Sequence, residues 1–260
     1  DPRIVPSERI VREMLGRELE AAREEVPPAM IVSDGRAEVL LEVRGLAGEV
    51  KPRAATFDLR RGEVLGIAGL VGSGRTELLR AILGLDRRSS GEVRITAGRG
   101  VGLLSEDRGG EGLLLARSIA ENVTLSPRGA FFTRPRDVLA EGARWIASLA
   151  VKASGPDQAV QELSGGNQQK VQLARLLRED FDVLLVDEPT RGIDVASKAQ
   201  VLSVLRDLAR KGKGIVLVSS QLDELVTTCD RIAVLRHGQL EEPRPASSFT
   251  EEKLLLEASS

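Results

Sequence analysis

The 260-residue chain has no tyrosine, one tryptophan, one cysteine and one histidine. A single cysteine excludes an internal disulfide framework and suits a reducing compartment. The single histidine, His237 in the turn Leu235-Arg236-His237-Gly238, has no neighbouring ligand residues and reads as solvated, not metal-bound. Aromatic residues make up 2% of the chain, which leaves few flat faces on which a ring-shaped ligand could stack. No apolar run reaches the roughly 18 residues that a spanning helix needs, and no signal peptide is apparent. The reading is therefore of a soluble, cytoplasmic protein. The formal net charge is -2 without long runs of like charge, so there is no electrostatic case for nucleic acid as a partner. The chain begins at Asp1 instead of Met, and a fragment of a longer polypeptide is expected.

What is present is organised around Gly69-Leu70-Val71-Gly72-Ser73-Gly74-Arg75-Thr76. Ahead of it, Glu63 to Ala68 is a short apolar run that reads as a buried strand. Behind it, Thr76 to Leu83 reads as a helix closing at Gly84. A strand, a glycine-rich turn and a helix N-terminus make an anion cradle, since the backbone N–H groups turn inward and the helix dipole adds positive potential. The spacing matches the phosphate-binding loop Gly-x-x-x-x-Gly-Lys-Ser/Thr, with Arg75 in place of Lys. Arginine keeps the charge and can fork onto two phosphate oxygens, although it is bulkier and planar.

Around this stretch the chain divides as follows. Arg9 to Glu25 is a charged amphipathic stretch ended by Pro27-Pro28, so residues 1–35 read as a lead-in helix and linker. Residues 36–260 read as one α/β domain. Its first strands, Glu38–Val43 and Ala55–Leu59, suggest an antiparallel β subdomain, and Gly91–Ile95 and Val101–Leu104 are further short strands. Ser105 to Gly110 reads as a polar, flexible loop. The region of about 109–177 reads as an inserted helical subdomain, with helical spacing over Ser118–Leu125, Pro135–Val151 and a helix ending near Leu177. Phe181–Asp187 and Gly214–Ser220 are near-continuous apolar strands separated by a helix over Lys198–Lys211. They are followed by a short helix, Leu222–Thr228, and a strand, Arg231–Leu235. That alternation indicates a mostly parallel sheet covered on both faces. Phe57, Trp145 and Cys229 read as packing residues. The tail beyond Gln239, with its last charged helix, carries no chemistry.

Two further motifs give the phosphate loop something to work with. The strand ending Val186-Asp187-Glu188 puts carboxylates at the sheet edge. There Asp187 can hold magnesium through a water while the Thr76 hydroxyl ligates it directly. Glu188 can accept a proton from an attacking water, a role worth roughly 10²–10⁴ in rate. Leu163-Ser164-Gly165-Gly166, followed by Asn167-Gln168-Gln169-Lys170, reads as a second anion-binding helix N-terminus, with Ser164 as the cap. Two cradles far apart in sequence suggest that two domains sandwich a nucleotide, each lending one of them.

Taken with Asp187-Glu188-Pro189-Thr190-Arg191-Gly192-Ile193-Asp194-Val195, these motifs resemble an ABC-transporter ATPase domain. More narrowly, they are similar to the second of the two fused ATPase domains in monosaccharide importers of the ribose, galactose and xylose type. The resemblance covers the chain from about Val39 to the last strand. It implies a P-loop NTPase fold, with ATP and Mg2+ as cofactors. Gly69 to Thr76 would wrap the phosphates. Ser164, Gly165, Gly166 and Gln168 would reach the other domain's nucleotide, and Asp194 would contact that domain. Asp187 would serve magnesium and Glu188 the water. Glu106, in Ser105-Glu106-Asp107-Arg108, would stand where the family's Gln senses the metal and the water, and Arg108 would help dock the membrane partner. The implied partners are the first nucleotide-binding domain of the same polypeptide, transmembrane permease subunits and, indirectly, a sugar-binding protein. The implied location is the cytoplasmic face of the membrane.

Four departures from the family pattern matter. Arg75 replaces the phosphate Lys, Glu106 replaces Gln, and Ser220 stands where a His orients the γ-phosphate. No aromatic residue precedes the phosphate loop, which leaves Val50 as the nearest apolar candidate for the adenine. The segment between Ile95 and Val101 is also short for the family. Arg75, Glu106 and Ser220 occur in the family's second domains too, so they weaken hydrolysis without weakening the resemblance. Loss of the His clamp, worth about 1.5–3 kcal/mol, implies one to two decades in rate. Binding of MgATP with slow turnover is the expectation. A nucleic-acid-directed ABC-type ATPase and a non-catalytic structural half are the alternatives.

Overall fold

In this computed structural model, which describes residues 37–126 and 134–259, the chain enters on strand β1 (Val39–Gly48). The lead-in helix and linker expected over residues 1–35 lie outside the described residues. β1 continues past the expected end at Val43 because both of its edges are used. It pairs antiparallel with β2 (Ala55–Arg60) on one side and with β4 (Arg88–Ile95) on the other. β4 in turn starts at Arg88, ahead of the expected Gly91, because Arg88 and Ser90 find Gly48 and Ala47 across the ladder.

The second sheet is built on β3 (Val64–Ala68), β5 (Val101–Leu104), β6 (Val183–Asp187), β7 (Gly214–Val218) and β8 (Arg231–Arg236). These run parallel in the order β8-β3-β7-β6-β5. Two short antiparallel strands, β9 (Gln239–Leu240) and β10 (Arg244–Pro245), pair with β8. Every residue of β3, β6 and β7 is buried, as their continuous apolar runs require.

Successive side chains of these strands enter different cores, because strand side chains alternate between faces. Leu65, Leu185 and Val216 pack with the antiparallel sheet, through Leu41, Phe57 and Leu59, and with helix α1 (Arg75–Leu83). Val64, Leu184 and Leu217 face the opposite layer. That layer holds helices α4 (Gly165–Glu179), α5 (Val195–Arg210), α6 (Leu222–Thr228) and α7 (Glu251–Ser259). Cys229 lies in this core at 0% exposure, and burial raises its thiol pKa well above the usual range. Phe57 is likewise buried.

A third core forms where α2 (Ile119–Val123) and α3 (Pro135–Ser148) meet α4, around Leu113, Ile119, Val123, Val160 and Val171. Trp145 packs against it. Among the described residues, no helix is long and apolar enough to cross a membrane.

Helix ends follow local chemistry. α1 closes at Gly84, whose φ of +73° lets its N–H reach the carbonyls of Arg80 and Ala81. α5 starts at Val195 instead of the expected Lys198 because Asp194 caps it, accepting from the Ser197 N–H at 3.0 Å and the Ser197 hydroxyl at 2.7 Å. Of the stretch Ser105–Gly110 read as a loop, Ser105–Asp107 have no regular structure, whereas Arg108–Gly110 enter a π-helical turn over Arg108–Gly112. Asp107 caps it by accepting from the Gly110 N–H at 2.8 Å, and the Ser105 hydroxyl donates to Glu111.

Candidate active site

The phosphate loop leaves β3 at Gly69 and enters α1 at Gly74. Gly69 is required by space: a Cβ there would lie 2.6 Å from the Ser73 Oγ and 2.7 Å from the Leu235 carbonyl oxygen. Gly72 and Gly74 are required by conformation, at φ +78° and +107°. Leu70 and Val71 are exposed on the loop's tip, and the buried Ser73 Oγ has no hydrogen-bond partner among the described residues.

Arg75 does not line this loop. Its guanidinium turns beneath it, with Nη1 donating to the Ser219 carbonyl at 2.7 Å and Nη2 at 3.2 Å from Glu188 Oε1. The other Glu188 oxygen accepts from the Ser220 hydroxyl at 3.0 Å. β6 therefore delivers Glu188 to Arg75 and Ser220, two of the three residues that depart from the pattern the sequence resembles. Glu188 sits at φ +45°, a left-handed conformation that few non-glycine residues adopt, and its N–H is bonded to the Val218 carbonyl at 2.9 Å.

Asp187, at the end of β6, is 2% exposed. Burial pushes its carboxyl up to about 6, against the hydrogen bond from the Thr76 hydroxyl, while the Glu188 charge adds to the rise. Its Oδ1 has no partner among the described residues. A buried, unpartnered carboxylate oxygen beside a hydroxyl fits a hard cation with oxygen ligands.

Glu106 shares an open cleft with Thr76, but its carboxylate is ion-paired with Arg191. Arg108 points inward, donating to the Gly165 carbonyl at 2.8 Å and approaching the Arg191 carbonyl at 3.5 Å. The expected cap at Ser164 is corrected in detail. Ser164 holds the N-cap position of α4 without a side-chain bond to the helix backbone, and its hydroxyl accepts from the Asn167 amide at 2.8 Å. Gln168 folds back onto the Val160 and Leu163 carbonyls. A Cβ on Gly166 would lie 3.0 Å from the Ser197 Oγ and 3.5 Å from Asp194 Oδ2, so the start of α4 abuts the start of α5. Ser164 is not among the residues lining the cleft that contains Thr76 and Glu106. Val50 is 81% exposed, and it is the neighbouring Lys51 whose side chain touches the loop.

One residue escaped sequence reasoning. Glu224, on α6, is fully buried and accepts from the Thr190 and Ser219 hydroxyls while Lys198 Nζ lies 3.0 Å away. Burial alone would lower the Lys198 pKa, but Glu224 and Asp223 outweigh it and the direction is up. Glu224 thereby ties the segment after β6 to the segment after β7, on either side of the Glu188–Ser220 contact. A lone glutamate in a short helix gave no signal of this.

The ABC transporter family model matches residues 53–191. The chain belongs to the ABC transporter family. It is an ABC ATPase domain, and among its relatives is a ribose import ATP-binding protein of Rubrobacter xylanophilus, 43% identical over 95% of this chain and 52% of the relative. An arabinose import ATP-binding protein of Burkholderia pseudomallei is 41% identical over 96% of this chain and 52% of the relative. The chain thus spans about half the length of the curated relatives it matches. A solved dimeric ATP-binding cassette, described as a post-hydrolysis state bound to ADP and Pi, superposes with a TM-score of 0.69 at 21% identity, over 81% of this chain and 100% of the other. At that identity the likeness speaks for the fold.

Proposed function

We propose that this ABC ATPase domain binds MgATP and turns it over slowly, as the second nucleotide-binding domain of a fused pair that energises monosaccharide import. In this reading Gly69 to Thr76 wrap the phosphates through backbone N–H groups. Asp187 and Thr76 hold the magnesium ion, which when bound neutralises charge on the phosphate oxygens. No group of three or more His, Cys, Asp or Glu side chains placed to hold a metal occurs among the described residues, in keeping with an ion that keeps waters and phosphate oxygens among its ligands.

The observation that carries the slow-turnover part is the engagement of Glu188. With Arg75 on one oxygen and Ser220 on the other, the carboxylate must release a partner before it can accept a proton from an attacking water. The start of α4 at Ser164, Gly165 and Gly166, with Gln168 and Asp194, would complete the site of the first nucleotide-binding domain in a head-to-tail sandwich. The ribose and arabinose import roles named for the relatives support the import part of this reading. The domain would work at the cytoplasmic face of the membrane, against permease subunits and downstream of a sugar-binding protein.

The test is calorimetry with MgATP and a non-hydrolysable analogue, followed by ATPase assays of the chain alone and assembled with its first domain and permease. Binding with little turnover alone is expected. A brisk turnover by the chain alone, independent of protein concentration, would overturn the degenerate-site assignment, and absence of any binding would overturn the nucleotide reading.

A further inference from the structure

We infer that Lys51, and not Arg75, is the cation that the phosphate loop lends to a bound polyphosphate; the inference rests on the nucleotide-binding reading above. The loop pattern assigns that charge to position 75. In the fold, the Arg75 residue is 7% exposed and its guanidinium is committed to Glu188 and the Ser219 carbonyl. Moving it to the loop's open side would strip its counter-charge from Glu188, whose side chain is 5% exposed. A buried carboxylate deprived of its partner is strongly disfavoured, so the pair holds the guanidinium where it is.

The turn between β1 and β2 brings a second cation to the same loop. Lys51 Nζ donates to the Gly72 carbonyl. Its stem lies against Gly74, where a Cβ would come within 2.8 Å of Lys51 Cβ. The lysine therefore spans the loop between the two glycines that hold its left-handed turns. The absence of a side chain at Gly74 is what lets Lys51 approach.

Among the described residues, Lys51 enters no ion pair, and its ammonium rests on one neutral carbonyl of an exposed segment. A phosphate oxygen is a stronger acceptor for an ammonium than a peptide carbonyl. Lysine is a point charge on a flexible stem, so rotation about its own bonds suffices to exchange one acceptor for the other. The acidic groups nearby, Glu49, Glu77 and Asp86, line the shallow cleft beside Lys51, and Asp86 is held by Arg80.

The experiment compares MgATP, MgADP and AMP binding by calorimetry to the wild-type chain, Lys51→Gln, Lys51→Met and Lys51→Arg. Lys51→Gln keeps a donor for the Gly72 carbonyl and removes the charge. The expected result is about a tenfold or greater loss of MgATP affinity in both Lys51→Gln and Lys51→Met, a smaller loss for AMP, near-complete retention in Lys51→Arg, and an unchanged melting temperature without ligand. Wild-type affinity retained in Lys51→Gln would overturn the inference and leave the lysine as a strap on the loop. Equal losses for ATP and AMP would overturn it in the same way. A wild-type chain that binds no nucleotide would remove the nucleotide reading itself, and this inference with it.

Discussion

Arg75 Nη2 lies 3.2 Å from Glu188 Oε1, with both side chains more than nine-tenths buried. The residue expected on the phosphates and the residue expected on the water are thus each other's partners.

That pair predicts its own energetics. Removing one member leaves an uncompensated buried charge, so Arg75→Met and Glu188→Gln should each lose about 3 kcal/mol or more of unfolding free energy. The double variant should regain much of the loss. Urea denaturation of the four proteins measures the coupling, and strictly additive losses would show that the contact contributes nothing.

Asp187 predicts a trade between stability and metal binding. Its folded-state pKa, about 6, lies above the ordinary 3.8, so the fold penalises the charged form. The penalty is complete above pH 6 and fades as the pH falls towards 3.8. Asp187→Asn removes it and keeps an acceptor for the Thr76 hydroxyl. Without divalent ions, the variant should be more stable by about 2 kcal/mol at pH 8, a rise of several degrees in melting temperature, and little changed at pH 4. At the same time, its nucleotide affinity should lose its dependence on magnesium. Equal melting temperatures at pH 8 would contradict the prediction.

Glu224 is a positioning residue whose loss should act through Glu188 and Ser220. Glu224→Ala leaves the Thr190 and Ser219 hydroxyls without their acceptor, while Lys198 keeps Asp223 and Gln221, and should cost about 2 kcal/mol. Glu224→Gln, with its shape preserved, should cost less. If the residue positions the site, ATPase activity of the assembled transporter should fall in Glu224→Gln with the Michaelis constant for ATP nearly unchanged. A variant affected only in stability would rule out the positioning role.

Ala150 offers a control far from this chemistry. It sits at φ +48° at the end of the α3 segment, and its carbonyl accepts from Lys170 Nζ at 3.0 Å. Ala150→Gly relieves the left-handed strain, partly offset by a freer unfolded chain, for a net gain of about 0.5 kcal/mol. A small upward shift of the urea midpoint with unchanged nucleotide binding is expected.

What the sequence determined was local. Gly69, Gly72 and Gly74 between an apolar run and a helix dictate a strand, a left-handed turn and a bare helix start, because backbone conformation at those positions is set by sterics. The runs at Val183–Val186 and Ile215–Val218 likewise announce strands buried on both faces, and the parallel sheet follows from their alternation with helices. Helix starts were less legible: Asp194 has one side chain that could reach outward to a partner or back to Ser197, and only the fold shows it taking Ser197. Tertiary structure alone decided where the long charged side chains go. Arg75 meets Glu188, and Glu224 gathers Thr190, Ser219 and Lys198, because sheet order places β3, β7 and β6 side by side, while the turn between β1 and β2 of the other sheet carries Lys51 across Gly74 to Gly72. Flexible side chains take whichever opposite charge or acceptor lies within a few ångströms in space, and no spacing along the chain encodes that.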